Sequence, residues 1–267
     1  MSFGPLPVSH TRRLWLYALV AAVLLFLAAP VFIVIPISFS DSEFLQFPPR
    51  GFSLRWYEAF FTDPQWMQSA RVSFTAALLT VCAATPLGTA AAYAIHRSQS
   101  RLLRAMHVTL LLPQMVPLIL IGIGLFYVYI QLGLVNSMLG IVLAHTLLAT
   151  PFVVVTVLSG LQTFDMTQEQ VARSLGASWP VAFFTVTLPQ IRLSVISGAF
   201  FAFITSLDEV VVGLFIAGGE NTVLTRRMFM SLRDQIEPTI AAISSVLIIV
   251  SVTLLVVAGL LAKRGKR

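Results

Sequence analysis

Six long apolar blocks separated by polar segments dominate the chain. The blocks cover residues 14–37, 72–95, 108–131, 138–160, 193–217 and 239–262. A bilayer core is about 30 Å thick and needs about 20 apolar residues of helix, so each block is long enough to span it. The pattern predicts an all-α polytopic membrane protein with six transmembrane helices, in a single transmembrane domain over residues 1–267.

Composition supports this prediction. Hydrophobic residues make up 57% of the chain and charged residues 10%, whereas typical soluble domains are roughly 25% charged. The first block follows Arg12 and Arg13 but is too long for the apolar region of a signal peptide and lacks a clear small-x-small cleavage site, so we predict an uncleaved span. The one cysteine, Cys82, lies within an apolar block, which excludes an intrachain disulfide.

The arginines predict the orientation. With the amino terminus inside, the inner segments contain eleven of the seventeen basic residues and a net charge of +9, against −1 for the outer segments. The positive-inside rule therefore places both termini in the cytoplasm. The basic excess needs no nucleic-acid partner. The inner basic residues are Arg12, Arg13, Arg97, Arg101, Arg104, Arg173, Arg192, Lys263, Arg264, Lys266 and Arg267.

A polar loop over about residues 161–192 separates the fourth and fifth blocks. Within it, Thr167 and Gln170 have the spacing of a capping box, which predicts a short helix from Thr167 to Leu175. Asp165 and Glu169 add negative charge near the positive end of that helix. The loop therefore contains a helix that does not need the membrane to form, and the orientation places it in the cytoplasm.

The second half of the loop leads back to the membrane. Gly176 permits backbone geometry that other residues resist, so we predict a turn there. An amphipathic run over residues 179–186 follows, and Pro189 is predicted at the start of the fifth span, where its missing N–H costs little.

This spacing resembles the cytoplasmic loop of the permease subunits of binding-protein-dependent ABC importers. Their pattern is Glu-Ala-Ala, three residues, Gly, nine residues and Ile-x-Leu-Pro. Here Gln170 stands in place of the usual acid, with Glu169 one position earlier, and Val171 stands in place of an alanine. The resemblance implies a type I ABC importer permease fold with a cytoplasmic coupling helix, in a bacterial inner membrane. The ATPase-coupling residues that it implies are Glu169, Gln170, Ala172, Gly176, Val186, Leu188 and Pro189. An ordinary amphipathic interfacial helix is the alternative.

Motifs elsewhere narrow the resemblance to the spermidine/putrescine-type family and its second permease subunit. They are Phe47-Pro-Pro-Arg-Gly-Phe-Ser-Leu-Arg-Trp-Tyr57, Ile121-Gly-Ile-Gly-Leu125, Leu143-Ala-His145, Ala149-Thr-Pro-Phe152, Ser206-Leu-Asp-Glu209 and Pro238-Thr-Ile-Ala-Ala242. The resemblance implies half of a transmembrane path for a small solute such as spermidine or putrescine. It also implies a second permease subunit, a dimer of ATPase subunits and a periplasmic or lipid-anchored binding protein. The same importer class with another small solute is the alternative.

ATP hydrolysis must belong to another polypeptide. A P-loop needs a lysine after its glycines, and the only lysines, Lys263 and Lys266, lie in the tail. Paired cysteines, a zinc-protease motif and a nucleophile elbow are also missing from the sequence. We therefore expect a transport subunit without catalytic, cofactor-binding or metal-binding residues. An ion-coupled secondary transporter is the weaker alternative, because such proteins usually contain internal repeats.

Asp208 and Glu209 lie side by side within the fifth block. Acids in lipid are costly, so both should face protein or water. We predict that both residues line the substrate path. A structural pair with a partner arginine, or hydrogen bonding at a helix break, is the alternative.

Two outer segments are candidate contacts for a binding protein, and an interfacial anchor is the alternative for each. Residues 38–70 contain an aromatic, helical run from Trp56 to Phe61. Residues 222–236 have apolar side chains at helical spacing, which predicts a helix lying at the outer interface. The residues of that stripe are Leu224, Met228, Leu232 and Ile236.

Overall fold

The computed structural model of the chain describes residues 14–98, 100–234 and 237–264. Its contacts form two compact units, one of residues 14–60 with 237–247 and the other of residues 61–234 with 248–264. Ile236 of the predicted outer stripe and four basic residues of the orientation argument lie outside the described residues. Those four are Arg12, Arg13, Lys266 and Arg267. The assignment of residues 1–267 to one transmembrane domain stays a prediction.

The described residues are almost entirely helical. In chain order the α-helices are α1 (Leu14–Ser38), α2 (Arg55–Thr62), α3 (Pro64–Arg97), α4 (Arg101–Met115), α5 (Leu118–Leu132), α6 (Met138–Gln162), α7 (Thr167–Ser174), α8 (Trp179–Ala182), α9 (Leu188–Asp208), α10 (Val211–Ile216), α11 (Leu224–Asp234) and α12 (Thr239–Arg264). Within this part of the chain, five helical segments are long and apolar enough to span, or six when the bent pair α4 and α5 counts as one. The predicted all-α membrane fold is confirmed.

The first unit contains α1 and the loop that leads to α2. The Ser38 and Tyr57 hydroxyls lie 2.7 Å apart, and the Tyr57 ring packs against Phe39 with 5.1 Å between centroids. An antiparallel bridge joins Ser40 to Phe52. Helix α2 confirms the helical run that the aromatic pattern predicts.

The core of the second unit is formed by α3, α6 and α9, which pack against one another. Small residues allow the close approach of α3 and α6, since a Cβ atom on Gly88 would lie 2.7 Å from the Val153 Cβ atom. His145 is buried in this core, and its Nδ1 atom lies 2.7 Å from Ser206 Oγ. His145 therefore links α6 to α9 through a hydrogen bond.

Helix α3 begins eight residues before the second apolar block. Its first turn is capped by Asp63, whose Oδ1 atom accepts hydrogen bonds from the backbone N–H groups of Gln65 at 2.7 Å and Trp66 at 3.0 Å. Pro64 occupies the first helical position, where a missing N–H costs little. The helix therefore extends beyond the apolar block because a polar cap starts it earlier, and the start of the span at residue 72 stays a prediction.

The third block is broken into α4 and α5, which meet at an angle of 104°. The break lies at Pro117, whose ring disfavours helical geometry in the preceding residue Val116. The prolines Pro113 and Pro117 predict a kink in this span, and the bend lies at the second of them.

The fifth block, residues 193–217, begins within the helical run Trp179–Asp208 and continues through a break into the short helix α10. A π-helical turn over Phe183–Thr187 joins α8 to α9, with the Leu188 N–H donating to the Phe183 carbonyl. Pro189 lies in the first turn of α9, at the start of a helix as predicted. The wider π turn accommodates a proline inside a continuous helical run, because its hydrogen bonds skip the position where the proline ring would clash.

Candidate functional site

The polar loop between α6 and α9 contains α7, the predicted coupling helix. Helix α7 begins at Thr167, so this residue is the first of the helix rather than its cap. The N-cap position is Met166, and the Asp165 Oδ1 atom, one residue before it, accepts the Thr167 backbone N–H at 2.9 Å. That bond lowers the pKa of Asp165 below its ordinary value. The predicted capping box is therefore wrong in detail, because the acceptor for the Thr167 N–H group is the Asp165 side chain and not the Gln170 side chain.

Gly176 makes the turn that ends α7. Its φ of 97° lies in the left-handed region, which side chains other than glycine resist. The Gly176 N–H donates to the Arg173 carbonyl at 3.0 Å, and the Ala177 N–H donates to the Ala172 carbonyl at 3.1 Å. These bonds satisfy carbonyls that the helix end would leave unpaired. The glycine turn is confirmed.

Most of the surface of α7 is exposed. Gln170 and Val171 are exposed, and Leu175, at the end of the helix, is 84% exposed. Glu169 is the exception, with only 2% of its surface exposed. The two neighbours at the acid position of the motif therefore differ completely, because adjacent helical residues point about 100° apart. Gln170 lies on the outer face of the loop, and Glu169 points into the protein.

Glu169 is held by hydroxyl groups from two other segments. The Tyr93 hydroxyl donates to Glu169 Oε1 at 2.6 Å, and the Thr187 hydroxyl donates to Oε2 at 2.5 Å. The Arg97 guanidinium completes the site, with its Nη1 atom 3.4 Å from Oε1. Tyr93 also accepts the indole N–H of Trp179 at 3.1 Å. We call these five residues the Glu169 network.

The sequence analysis did not identify the partners of Glu169. Tyr93 and Arg97 lie four residues apart, one helical turn, at the end of α3, and their side chains interact at 3.0 Å. A tyrosine and an arginine on one face at the end of a span would have been the available signal. Thr187 carries no such signal, because it is one hydroxyl in an apolar run.

The remaining motif residues lie where the loop returns to the membrane. Ala172 is partly buried in α7, Val186 lies in the π turn, and Leu188 and Pro189 begin α9. The π turn contacts both α7 and α9. The motif therefore places α7 against the π turn that leads into α9.

Asp208 and Glu209 lie at the break between α9 and α10. Asp208 is exposed, whereas Glu209 is 8% exposed. The Glu209 Oε1 atom accepts the Val212 backbone N–H at 2.8 Å, and the Glu209 carbonyl accepts the Thr225 hydroxyl at 2.8 Å. The Glu209 side chain thus caps α10, and its backbone binds α11.

Helix α11 packs against α3. The guanidinium of Arg227 donates to Ser69 Oγ and to Gln65 Oε1, each at 2.7 Å. The backbone N–H of Leu224 donates to Ser73 Oγ at 2.7 Å. The helix over residues 224–234 is confirmed, but arginine contacts attach it to the helical core.

Comparison with known proteins identifies the family. Residues 84–266 match the family described as the binding-protein-dependent transport system inner membrane component. The chain is 30% identical over 240 residues to the spermidine/putrescine transport system permease protein PotC of Haemophilus influenzae, which covers 90% of this chain and 93% of that protein. It is 31% identical over 250 residues to the putrescine transport system permease protein PotI of Escherichia coli, covering 91% and 88%.

A solved structure matches the fold. It is a bacterial alginate ABC transporter in complex with an alginate pentasaccharide-bound periplasmic protein, with a TM-score of 0.73 and 14% identity over 95% of this chain and 96% of that chain. This match confirms the predicted ABC importer permease fold. The family match also confirms a transport subunit rather than an enzyme. The chain belongs to the family of inner membrane components of binding-protein-dependent transport systems.

Proposed function

We propose that this permease forms half of the transmembrane path of an ABC importer for a polyamine, and that α7 couples the path to a separate ATPase dimer. The observation that carries the coupling proposal is the exposed outer face of α7 on a loop joined directly to two core helices. Leu175, 84% exposed at the end of the helix, is the apolar side chain that a groove on the ATPase would cover.

The ATPase docks on the basic side of the membrane. The inner segments carry a net charge of +9, which supports cytoplasmic termini and a cytoplasmic α7. ATP is then bound and hydrolysed by the partner, since the chain lacks a lysine in P-loop context. Cysteines introduced at Ser42 and Thr222 should react with an impermeant thiol reagent in intact cells, and one at Ser174 should not. Labelling at Ser174 from outside would contradict this orientation.

A polyamine is the solute that two kinds of observation support. PotC and PotI are named as spermidine or putrescine permeases. Asp208 is an exposed carboxylate in the fifth block, next to a helix break, and the amines of a polycation would pair with it during passage. In this proposal Asp208 and Glu209 belong to the path, with Asp208 facing the solute and Glu209 shaping the break.

The remaining partners follow from the importer class. A second permease subunit supplies the other half of the path, and a periplasmic or lipid-anchored binding protein delivers the solute. Helix α11 is a candidate contact for the binding protein on the outer side. Its arginine contacts to α3 would transmit the contact to the core.

The test is recovery of the complex followed by uptake. The tagged chain, purified from its native membrane, should retain an ATPase, and Leu175→Asp should lower ATPase recovery, whereas Leu175→Met should not. Uptake of labelled spermidine should be inhibited by excess putrescine and not by an alginate oligosaccharide. Parent-like ATPase recovery with Leu175→Asp would contradict the docking face, and absence of uptake of both labelled spermidine and putrescine would contradict the solute.

A further inference from the structure

Glu169 has an unusual environment for a side chain on a short surface helix. The side chains next to it in α7 are exposed, yet Glu169 is among the most buried residues of the described chain at 2% exposure. A buried carboxylate is costly unless its oxygens are hydrogen-bonded. Here both oxygens accept short hydrogen bonds from hydroxyls, at 2.6 Å from Tyr93 and 2.5 Å from Thr187.

The hydroxyl bonds hold this carboxylate more directly than the ion pair does. Arg97 is 37% exposed and its Nη1 atom lies 3.4 Å from the carboxylate, so solvent weakens that pair. Hydrogen bonds from hydroxyls to an ionised acceptor at these distances belong to the strong class. The two hydroxyls therefore determine where the Glu169 side chain lies.

The donors lie on different segments of the transport core. Tyr93 is one turn from the end of α3, and Thr187 is the last residue of the π turn before α9. The Trp179 indole N–H reaches the same Tyr93 hydroxyl, and the Phe183 ring packs edge-on against the Tyr93 ring at 4.9 Å. One carboxylate on α7 thus connects the ends of two spans.

We propose that Glu169 is a positioning residue that makes α7, the end of α3 and the start of α9 move as one body. The inference rests on the proposed function, in which α7 receives the movement of the ATPase. In this role Glu169 does not contact the ATPase. The exposed face that begins at Gln170 makes that contact, and the acid of the motif is used one position earlier and inward.

The experiment measures a distance rather than uptake, so it needs no knowledge of the solute. Spin labels are placed at Ser98, after the end of α3, and at Ser174 in α7, in a Cys82→Ser background of the complete complex. In the parent, the distance distribution should stay narrow both without nucleotide and with ATP trapped by vanadate. Tyr93→Phe combined with Thr187→Val should broaden it about twofold, since α7 then moves separately from α3.

Matched variants separate positioning from general damage. Thr187→Ser alone keeps the hydroxyl and should have the narrow distance distribution of the parent. Gln170→Ala, on the outer face, should leave the width unchanged while lowering ATPase recovery. An unchanged width in the Tyr93→Phe, Thr187→Val variant would overturn the inference. A broad distribution in Thr187→Ser would do so too. Parent-like ATPase recovery in Leu175→Asp would instead contradict the docking proposal and leave the width measurement valid.

Discussion

Glu169 and Glu209 are both buried acids beside an exposed polar neighbour, but their hydrogen-bond donors differ. Glu169 accepts bonds from side chains that belong to other segments, 76 and 18 residues away in sequence. Glu209 accepts the N–H of Val212, three residues ahead. The first carboxylate therefore connects elements, whereas the second shapes its own chain. Removal of the Glu169 carboxylate should let α7 move separately from α3 and α9. Removal of the Glu209 carboxylate should distort the break between α9 and α10.

The comparison teaches how an acid can be retained near a membrane for different purposes. A local cap needs only its own backbone and keeps an irregular segment satisfied within an apolar environment. A tertiary hydrogen-bond network needs several residues in register, and its loss affects every element that it joins. The exposed neighbours Gln170 and Asp208 are then available for partners, the ATPase for one and the solute for the other in our proposal.

The largest effect is expected from Gly176→Pro. Proline fixes φ near −65°, whereas Gly176 has a φ of 97° and donates its N–H to Arg173. An incompatible proline costs ~3 kcal/mol or more in folding free energy, so this change should lower uptake by about a hundredfold. Membrane insertion should be retained, and ATPase recovery should fall. Gly124→Ala is the control, since an added methyl group there meets nothing within 4 Å. Parent-like ATP hydrolysis in response to loaded binding protein would contradict the coupling role.

A smaller effect is expected from Glu209→Ala. The Val212 N–H would lose its acceptor in a buried position, at a cost of ~1–3 kcal/mol. The yield of assembled complex should fall by about tenfold, measured by size-exclusion chromatography in detergent. Glu209→Gln keeps an acceptor oxygen and should assemble normally. Equal yields for the alanine and glutamine variants would mean that the cap does not maintain the break.

How far the sequence predicts this molecule depends on whether the determining contacts are local. Apolar runs locate the spans, and Gly176 locates the turn, because both signals lie within one segment. The early start of α3 at Pro64 depends on the Asp63 cap, a local signal that the apolar pattern hides. The continuous run through Pro189 depends on a π turn, for which no simple residue pattern exists.

The Glu169 network could not be predicted in the same way. Tyr93 and Thr187 meet at one carboxylate only because α3 and α9 pack together in the core. Spacing along the chain gives the position of Glu169 on α7 but not which face of α7 is covered. The sequence motif therefore locates the coupling helix, and the fold determines that the acid points inward.

Asp208→Asn should affect the solute and not the assembly. The carboxylate is exposed and shape is conserved, so complex yield should equal that of the parent. Loss of one exposed charge interaction of up to ~1 kcal/mol should raise the KM for labelled spermidine about fivefold. Asp234→Asn, an exposed carboxylate at the end of α11, is the control and should leave KM unchanged. An unchanged KM in Asp208→Asn would remove this residue from the path, and lost assembly would favour a structural pair.

The smallest effect is expected from Asp165→Ala. The Asp165 side chain accepts the Thr167 N–H at 2.9 Å, and loss of this bond removes an acceptor from the first turn of an exposed helix. Glu169 and the Gly176 turn still hold α7 against the core, so uptake and ATPase recovery should fall by less than about twofold. Asp165→Asn keeps an acceptor oxygen and should equal the parent. Were Asp165→Ala as damaging as Gly176→Pro, the Asp165 hydrogen bond rather than the buried carboxylate would determine the position of the helix, and the contrast between the two acids would lose its basis.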